Sequence, residues 1–547
     1  MADLISGPRA WWIIAVLAAL AALAGVFTIQ PLDRDEARYA QATAQMLETG
    51  DFIDIRFQED ARHKKPVGIY WMQAVTVGLL SDAGDRAIWA YRLPSVLGAI
   101  LAALGCFWAG LRLMSREAAF AAAAMLAVSS LLAAEGGIAK TDAMLAGVTT
   151  LAMAALVQLR HGGGKRAALV FWAMLGIGVL VKGPITPMVA GLTAAALIVW
   201  ERRIDWLKPL FYWPGPVLAA LIVLPWLIAI ELATGGNFLR GAFLEDLMPK
   251  LSSGDEGHGG WPGYHLLLLP LLSLPIVFFL VPGLHRAIGD LRSQAQADTA
   301  RFLLAWLIPA WIVFELMPTK LPHYPLPVYP ALALIAGLGW AHYRDAPRWT
   351  RWSSLLLGLA GTAGFAALLV LAPANFDGAV IAGVLAAAVF AVIVLGVCVE
   401  LWRLRADSAL ILAVMAGLGG HYLLRGVIVP SLPALDLSQR AAAVVAEMTA
   451  DQAASVPVYS SHTEPSLVFA LGTHTRLVTF DALSDAISQA EGPVISIEDT
   501  ARSGSDPVAL SRLETQICAR QEIAGYNYSR GEATVLIVRM HHCEPGG

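Results

Sequence analysis

Thirteen apolar segments, each close to the length of a bilayer crossing, follow one another along this 547-residue chain. A helix needs about 20 mostly apolar residues to cross the hydrocarbon. Such segments lie near Trp11–Ile29, Ile88–Leu111, Ala118–Ala134, Ala143–Leu159, Ala167–Val181, Pro184–Trp200 and Phe211–Leu232. They continue near Tyr264–Pro282, Phe302–Met317, Tyr324–Ala341, Ser353–Leu371, Ala379–Leu401 and Ser408–Ile428. In lipid, backbone polar groups have to be satisfied within each segment, so the chain is expected to be a mainly α, polytopic membrane protein. Composition agrees: 57% of residues are hydrophobic and 15% charged, against about 45–50% and 25% in soluble chains. A soluble cytosolic enzyme, a disordered chain and a disulfide scaffold are excluded. The net charge of −4 offers no basic face, so no nucleic-acid partner is expected.

The loops assign the two sides. Alternate loops carry Arg112/Arg116, Arg160/Lys165/Arg166, Arg202/Arg203/Lys208, Arg286/Arg292/Arg301, Arg344/Arg348/Arg351 and Arg403/Arg405. Basic short loops stay in the cytoplasm, and Arg9 falls on the same side. The first apolar run is too long for a signal-peptide core and lacks a clean cleavage site, so it reads as a retained helix. The N-terminus is then cytoplasmic, and an odd number of spans carries the tail outside. The outer face holds loops near 30–87 and 233–263. The organisation expected is a membrane unit over 1–435 and a small outer α/β domain over 436–547.

That tail alternates strand-like runs (Val456–Tyr459, Leu477–Phe480, Val494–Ile497, Thr534–Val538) with helical ones. The helical runs are Ala441–Met448, Ala482–Ala490 after a capping Asp481, and Val508–Ile517 after Asp506-Pro507. Cys518 and Cys543 also lie there, and an extracytoplasmic tail makes a disulfide between them plausible.

Ionisable residues without an anchoring role gather on the outer face, where charges near hydrocarbon mark a wet cavity or a site. Asp33-Arg34-Asp35-Glu36-Ala37-Arg38-Tyr39 follows the first span. Its acids suit a divalent cation or a general base, and Arg38 suits a phosphate. The bland alternative is a solvated start to a juxtamembrane helix, Arg34–Thr49, stopped by Gly50. Arg62-His63-Lys64-Lys65-Pro66, ahead of Tyr70-Trp71, is either an interfacial anchor or a phosphate clamp, and its outer location counts against the anchor. Asp142 opens a span, where capping alone would explain it. Lys182, before Gly183-Pro184, is a snorkelling residue or a site cation. His258 stands beside Asp255 and Glu256 and is a weak metal-ligand candidate.

Together these pieces resemble a known family. Asp35-Glu36-x-Arg38-Tyr39, Lys65-Pro66-x-x-x-Tyr70-Trp71, Thr141-Asp142, Lys182-Gly183-Pro184 and Lys320-Leu321-Pro322-x-Tyr324-x-Leu326-Pro327 stand in the order and on the side seen in the bacterial branch of the polytopic C-type glycosyltransferases. These include the 4-amino-4-deoxy-L-arabinose transferases of lipid A and relatives of the protein O-mannosyltransferases (glycosyltransferase family 39-like). The resemblance implies an inner-membrane enzyme of about thirteen transmembrane helices with a periplasmic α/β domain. It implies transfer of a sugar from a polyprenyl-phosphate carrier to an acceptor on the periplasmic face: lipid A or lipopolysaccharide, another glycan or protein. Asp35 matches the first-loop acid, with Glu36, Arg38 and Tyr39 beside it. Lys65, with Lys64 next to it, matches the lysine on the carrier phosphate. Asp142 matches the second acid, Tyr324 the tyrosine of the donor pocket, and His258 a histidine of the second large loop.

One departure stands out. The family usually has Glu-Lys-Pro where this chain has Lys64-Lys65-Pro66. Lys64 cannot ligate a cation at neutral pH, so a divalent ion would rely on Asp33, Asp35 or Asp142. The added charge suits a more anionic donor or acceptor, for which a uronic acid is one option. The competing reading is a transporter or lipid flippase, whose charges would line a path near the midplane between paired repeats. The sequence shows no repeat, and its charges collect at one interface.

Overall fold

The computed structural model describes residues 7–32, 34–242, 244, 248, 259–293, 297–450, 456–504 and 506–543. Every one of the thirteen apolar segments carries a helix. Among the described residues, seven helices are long and apolar enough to cross a membrane alone. Two further segments are bent pairs, Arg116–Ala127 with Ser130–Gly136 at 55° and Tyr264–Leu272 with Val277–Asp290 at 120°. Arg9–Leu23, Gly68–Leu80, Ile185–Glu201 and Leu326–Ala341 are shorter apolar helices, so seven to nine candidate spans stand among the described residues where about thirteen are expected from the sequence, because several apolar segments form helices shorter than a bilayer crossing.

The helices that position the site are α1 (Arg9–Leu23), α2 (Arg34–Thr49), α3 (Gly68–Leu80), α4 (Ile88–Leu113), α5 (Arg116–Ala127), α6 (Ser130–Gly136), α7 (Asp142–Arg160) and α8 (Lys165–Lys182). The central helix is α7, buried along nearly its whole length. It packs closely on α4 because both are glycine-bearing there. A Cβ on Gly98 would lie 2.4 Å from the Met144 backbone, and one on Gly147 would lie 2.6 Å from the Gly98 carbonyl oxygen. Without a hydrophobic drive between helices in lipid, such close backbone contact supplies the attraction. The helices Arg348–Asn375 and Val380–Trp402 instead expose apolar side chains such as Leu356, Leu368, Val384 and Val392, as a lipid-facing surface would.

The basic loops meet at one end of the bundle. Arg112 donates to Gln158 Oε1 at 2.8 Å. Arg160 pairs with Glu201 and Asp298, Arg344 donates to the Leu404 carbonyl at 3.0 Å, and Arg116 donates to the Gly7 carbonyl at 2.5 Å.

At the other end, the first large loop folds into α2, a two-stranded ribbon β1 (Arg56–Phe57) and β2 (Asp60–Ala61), and α3. Helix α2 has the bounds its sequence suggests, and Gly50 leaves it at φ +71°, a left-handed stop that glycine tolerates. The chain after Ile428 passes into helix Leu437–Thr449 and a mixed sheet. Its strands are β3 (Val458–Ser460), β4 (Arg476–Leu477), β5 (Val494–Asp499), β6 (Ile517–Asn527) and β7 (Glu532–His541), in the order β4-β3-β5-β7-β6. Strand β3 pairs parallel with both β4 and β5, and β7 runs antiparallel to both β5 and β6. Two sequence expectations shift. Thr479, not Asp481, caps the helix Phe480–Ser488, because its hydroxyl reaches the Ala482 N–H. The helix after Pro507 ends at Leu513, and β6 follows. The Cys518–Cys543 disulfide is formed, between the start of β6 and the end of β7.

One buried ion pair joins these parts. Arg92, inside α4, meets Glu36 through two hydrogen bonds of 2.8 and 2.9 Å. Its remaining N–H groups donate to the carbonyls of Val26, Ile29 and Gln30 at 2.8, 2.6 and 3.4 Å. Breaking a buried pair leaves an uncompensated charge and costs about 3–5 kcal/mol. Arg92→Ala is therefore expected to lower the melting temperature and yield of detergent-solubilised protein. Arg403→Ala, at a pair with Glu400 that is exposed on the Arg side, is expected to cost only about 0–1 kcal/mol. Equal melting shifts in the two variants would contradict this account.

Candidate active site

Three consecutive residues at the start of α2 point three ways. Arg34 turns to the C-terminal domain, where Glu464 accepts from its Nε at 3.2 Å and its Nη2 at 2.9 Å. Glu36 turns into the bundle, to Arg92 and to the Ala139 N–H at 2.8 Å. Asp35 lies between them with its side chain 54% exposed. Expected beside Asp35 as a second catalytic acid, Glu36 is instead buried and engaged on both oxygens. A carboxylate so committed orients the helix.

Asp35 sits among cations. Arg38 Nη1 is 3.5 Å from its Oδ1. Burial opposes its ionisation, but Arg62, Lys140, Arg38 and Lys65 together hold the carboxyl below the usual aspartate value. The guanidinium of Arg62 lies 5.1 Å from the centre of the Tyr39 ring, which leans on Tyr70 at 5.2 Å. Arg62, at the head of the basic run, is therefore turned inward onto the Tyr39 ring, where its charge acts on Asp35. Lys65 Nζ donates to the Lys64 carbonyl at 2.9 Å, while the Lys64 side chain is exposed. Burial foremost, then Tyr70 and the charges of Asp35 and Asp142, raise the Tyr39 hydroxyl well above its ordinary pKa, so it stays a neutral donor.

The second group surrounds the mouth of α7. Lys182, at the end of α8, donates to Asp142 Oδ1 at 2.5 Å, and its ammonium lies 5.8 Å from the centre of the Tyr324 ring. His323 bridges two acids, with Nε2 at 3.6 Å from Asp142 and Nδ1 at 3.5 Å from Glu135. Lys140 Nζ is 3.5 Å from Glu135, and it acts electrostatically on both Asp35 and Asp142. Lys140 thus links the two groups. Burial lowers the His323 pKa against the pull of both acids. Lys320, from the same motif, has another job: its ammonium donates to the carbonyls of Glu315 at 2.6 Å and of Met317, capping the end of helix Ala297–Leu316.

Arg62 stands in the basic run read from the sequence as a phosphate clamp, and Lys140 and His323 adjoin the motif residues Asp142 and Tyr324, whereas Glu135 is in none of these motifs. Glu135 and Arg92 did leave a signal, since each is an ionisable residue in or beside an apolar segment. Glu464 left none, because it is one acid among many in the tail.

A metal ion has a partial fit. Glu135, Asp142 and His323 bring ligand atoms within 4.8 Å of one another, and such an oxygen–nitrogen set suits zinc-like ions. Both carboxylates are already paired with lysines, which a cation would have to displace. The other candidate ligands, Asp33 and His258, lie outside the described residues, and Asp35 is not one of the three.

Comparison with known proteins follows the same lines. Residues 64–228 match the family described as dolichyl-phosphate-mannose-protein mannosyltransferase. The undecaprenyl phosphate-alpha-4-amino-4-deoxy-L-arabinose arabinosyl transferase of Pseudomonas aeruginosa is 31% identical over 325 residues, 57% of each chain. That of Edwardsiella ictaluri is 29% identical over 379 residues, 67% of this chain and 66% of that protein. The match thus spans little more than half the length of the Pseudomonas relative. The crystal structure of ArnT from Cupriavidus metallidurans bound to undecaprenyl phosphate superposes with a TM-score of 0.74 at 18% identity, over 96% of this chain and 97% of that one. The Archaeoglobus fulgidus oligosaccharyltransferase tethered with an acceptor peptide gives 0.52 at 12% identity, over 87% of this chain and 64% of that one. The helical bundle and the C-terminal mixed sheet agree with these likenesses: the chain has the fold of ArnT and over part of its length is similar in sequence to the arabinosyl transferases and to the mannosyltransferase family.

Proposed function

We propose that this protein is an inner-membrane glycosyltransferase that moves a sugar from undecaprenyl phosphate to an acceptor at the periplasmic face. Among its relatives are undecaprenyl phosphate-alpha-4-amino-4-deoxy-L-arabinose arabinosyl transferases, so a 4-amino-4-deoxy-L-arabinose donor and a lipid A acceptor are the first pair to test. The observation that carries this reading is Asp35 paired with Arg38 at 3.5 Å and held ionised by the charges of Arg62, Lys140 and Lys65 as well. Asp142, Lys182 and Tyr324 lie within electrostatic reach of the same place through Lys140. A phosphate needs the cations, and an attacking hydroxyl needs the carboxylate. The basic loops gathered at the far end of the bundle support a cytoplasmic location for that end. The tail disulfide supports an oxidising compartment for the C-terminal domain.

In this reading Lys65 and Arg38 hold the carrier phosphate, with Lys182 and Tyr324 on its other side and the Lys64 charge nearby. The acceptor oxygen attacks the anomeric carbon, and the bond from that carbon to the phosphate oxygen breaks. The electron pair leaves on the polyprenyl phosphate, where the cations stabilise it. Single displacement inverts the anomeric centre. A hydroxyl acceptor gives its proton to Asp35. A lipid A phosphate needs no base, and Asp35 then steadies the oxocarbenium-like sugar. Asp142, held by Lys182, orients the acceptor, while Glu36 fixes α2 and Tyr39 donates from its neutral hydroxyl. A transporter reading gains nothing here, since these charges lie at one end of the bundle.

Asp35→Asn is expected to cut release of undecaprenyl phosphate by at least about 100-fold, with insertion and melting temperature retained. Lys65→Ala is expected to lose a similar factor, the cost of one electrostatic stabiliser. Wild-type-like turnover by purified Asp35→Asn protein would remove Asp35 from this role. The depressed Asp35 pKa makes a pH prediction. Activity that needs the carboxylate persists above its pKa and falls as pH drops through it, so the acid limb should lie below the usual aspartate range. Arg62→Gln removes the largest lowering influence. It should move that limb to higher pH, measurable as a shifted pH profile of kcat/KM.

A further inference from the structure

The C-terminal domain is docked on α2 at two places. At the first turn, Glu464 takes both hydrogen bonds from Arg34 and one each, of 3.1 Å, from Asn527 Nδ2 and Arg530 Nε. Its side chain is only 5% exposed. At the far half, Gln41 Nε2 donates to Thr473 Oγ1 at 2.8 Å, and Thr473 donates to Glu48 at 2.6 Å. Arg86 donates to Gln41 at 2.7 Å and also meets Glu48. Gln58 completes the contact on the Thr473 carbonyl at 3.1 Å, and the rings of Tyr91 and Phe469 pack edge to face at 5.3 Å. The second contact would be enough to seat a domain. The first has a different character, because it falls on the residue adjacent to Asp35.

We propose that Glu464 is a positioning residue for Asp35, which makes the C-terminal domain a working part of the transferase site. The proposal rests on the transferase reading. Asp35 has one neighbour, Glu36, tied to the bundle and the other, Arg34, tied to the domain. With both ties made, the first turn of α2 has a single orientation. With the Glu464 tie lost, the Arg34 guanidinium loses its two hydrogen bonds to the domain beside the cations around Asp35, and the first turn keeps the Glu36 tie to the bundle without the Glu464 tie to the domain. A displacement of about 1 Å at a reacting group costs on the order of 100-fold in rate.

Glu464→Gln and Arg34→Ala break the contact from opposite sides. Arg34→Ala leaves Glu464 with Asn527 and Arg530, so the domain's own pairing survives. Each variant, as full-length protein in detergent or nanodiscs, is expected to lower kcat about ten- to hundred-fold with the KM for the undecaprenyl-phosphate sugar within about two-fold. The double variant should be no worse than the weaker single one, since both remove one contact. Hydrogen–deuterium exchange should rise in the peptide covering the first turn of α2 and stay unchanged around Gln41–Glu48. Unaltered kcat in Arg34→Ala, additive losses in the double variant, or uniform exchange along α2 would each overturn the proposal. A wild-type protein that turns over no lipid-linked sugar would count against the transferase reading instead. The exchange measurement would still decide whether Glu464 holds the turn.

Discussion

Arg92 is the point on which the outer end of this molecule hangs. A guanidinium carries five donors in a fixed plane, and here they reach a carboxylate at the start of α2 and three carbonyls just beyond α1. A lysine could not replace it, because a point charge on a flexible stem cannot span that fork. The end of α1, the start of α2 and the body of α4 are therefore locked in mutual register inside the bundle. Burying such a pair is expensive, and similar volume in apolar residues would pack as well. What the pair supplies is direction: it decides which way α2 leaves the membrane and so where Asp35 faces.

The rest of the site is built by balancing charge rather than by accumulating it. Asp142 is matched by Lys182, Glu135 by Lys140, and Asp35 by Arg38, with Arg62 behind it. In a medium less polar than water these pairs interact strongly over short range. Each charge thus has its counter-charge within the protein. An arriving phosphate would meet cations whose acids are already in place, so it could share them without leaving a carboxylate stranded. The substitution of lysine at position 64 adds to this balance on the positive side, at the exposed rim.

Much of this was legible in the sequence. The apolar segments all carry helices, because backbone satisfaction in lipid leaves the chain little choice. The stop of α2 at Gly50 and the cap at Asp506 follow from local chemistry that tertiary structure does not override. Strand β6 was missed because its middle, Arg520-Gln521-Glu522, is polar and exposed on an edge, and so lacks an apolar alternation. The site was half legible. Asp35, Lys65, Asp142 and Lys182 stand in recognisable motifs, whereas Lys140, Glu135 and Glu464 owe their place to contacts between segments far apart in the chain. Lys320 shows the converse: a motif residue whose own short-range reach to helix carbonyls settles its role.

The pairing of Arg34 with Glu464 spans 430 residues. During synthesis α2 is made among the first segments and its partner among the last. For most of the time the chain takes to be made and threaded into the bilayer, the turn bearing Asp35 has only its bundle-side wall. The recess acquires its second wall when the final sheet has closed. A chain interrupted before that point would hold a nearly complete set of helices and an unfinished recess. Closure of that sheet is then a step of assembly that follows the helices it is docked on.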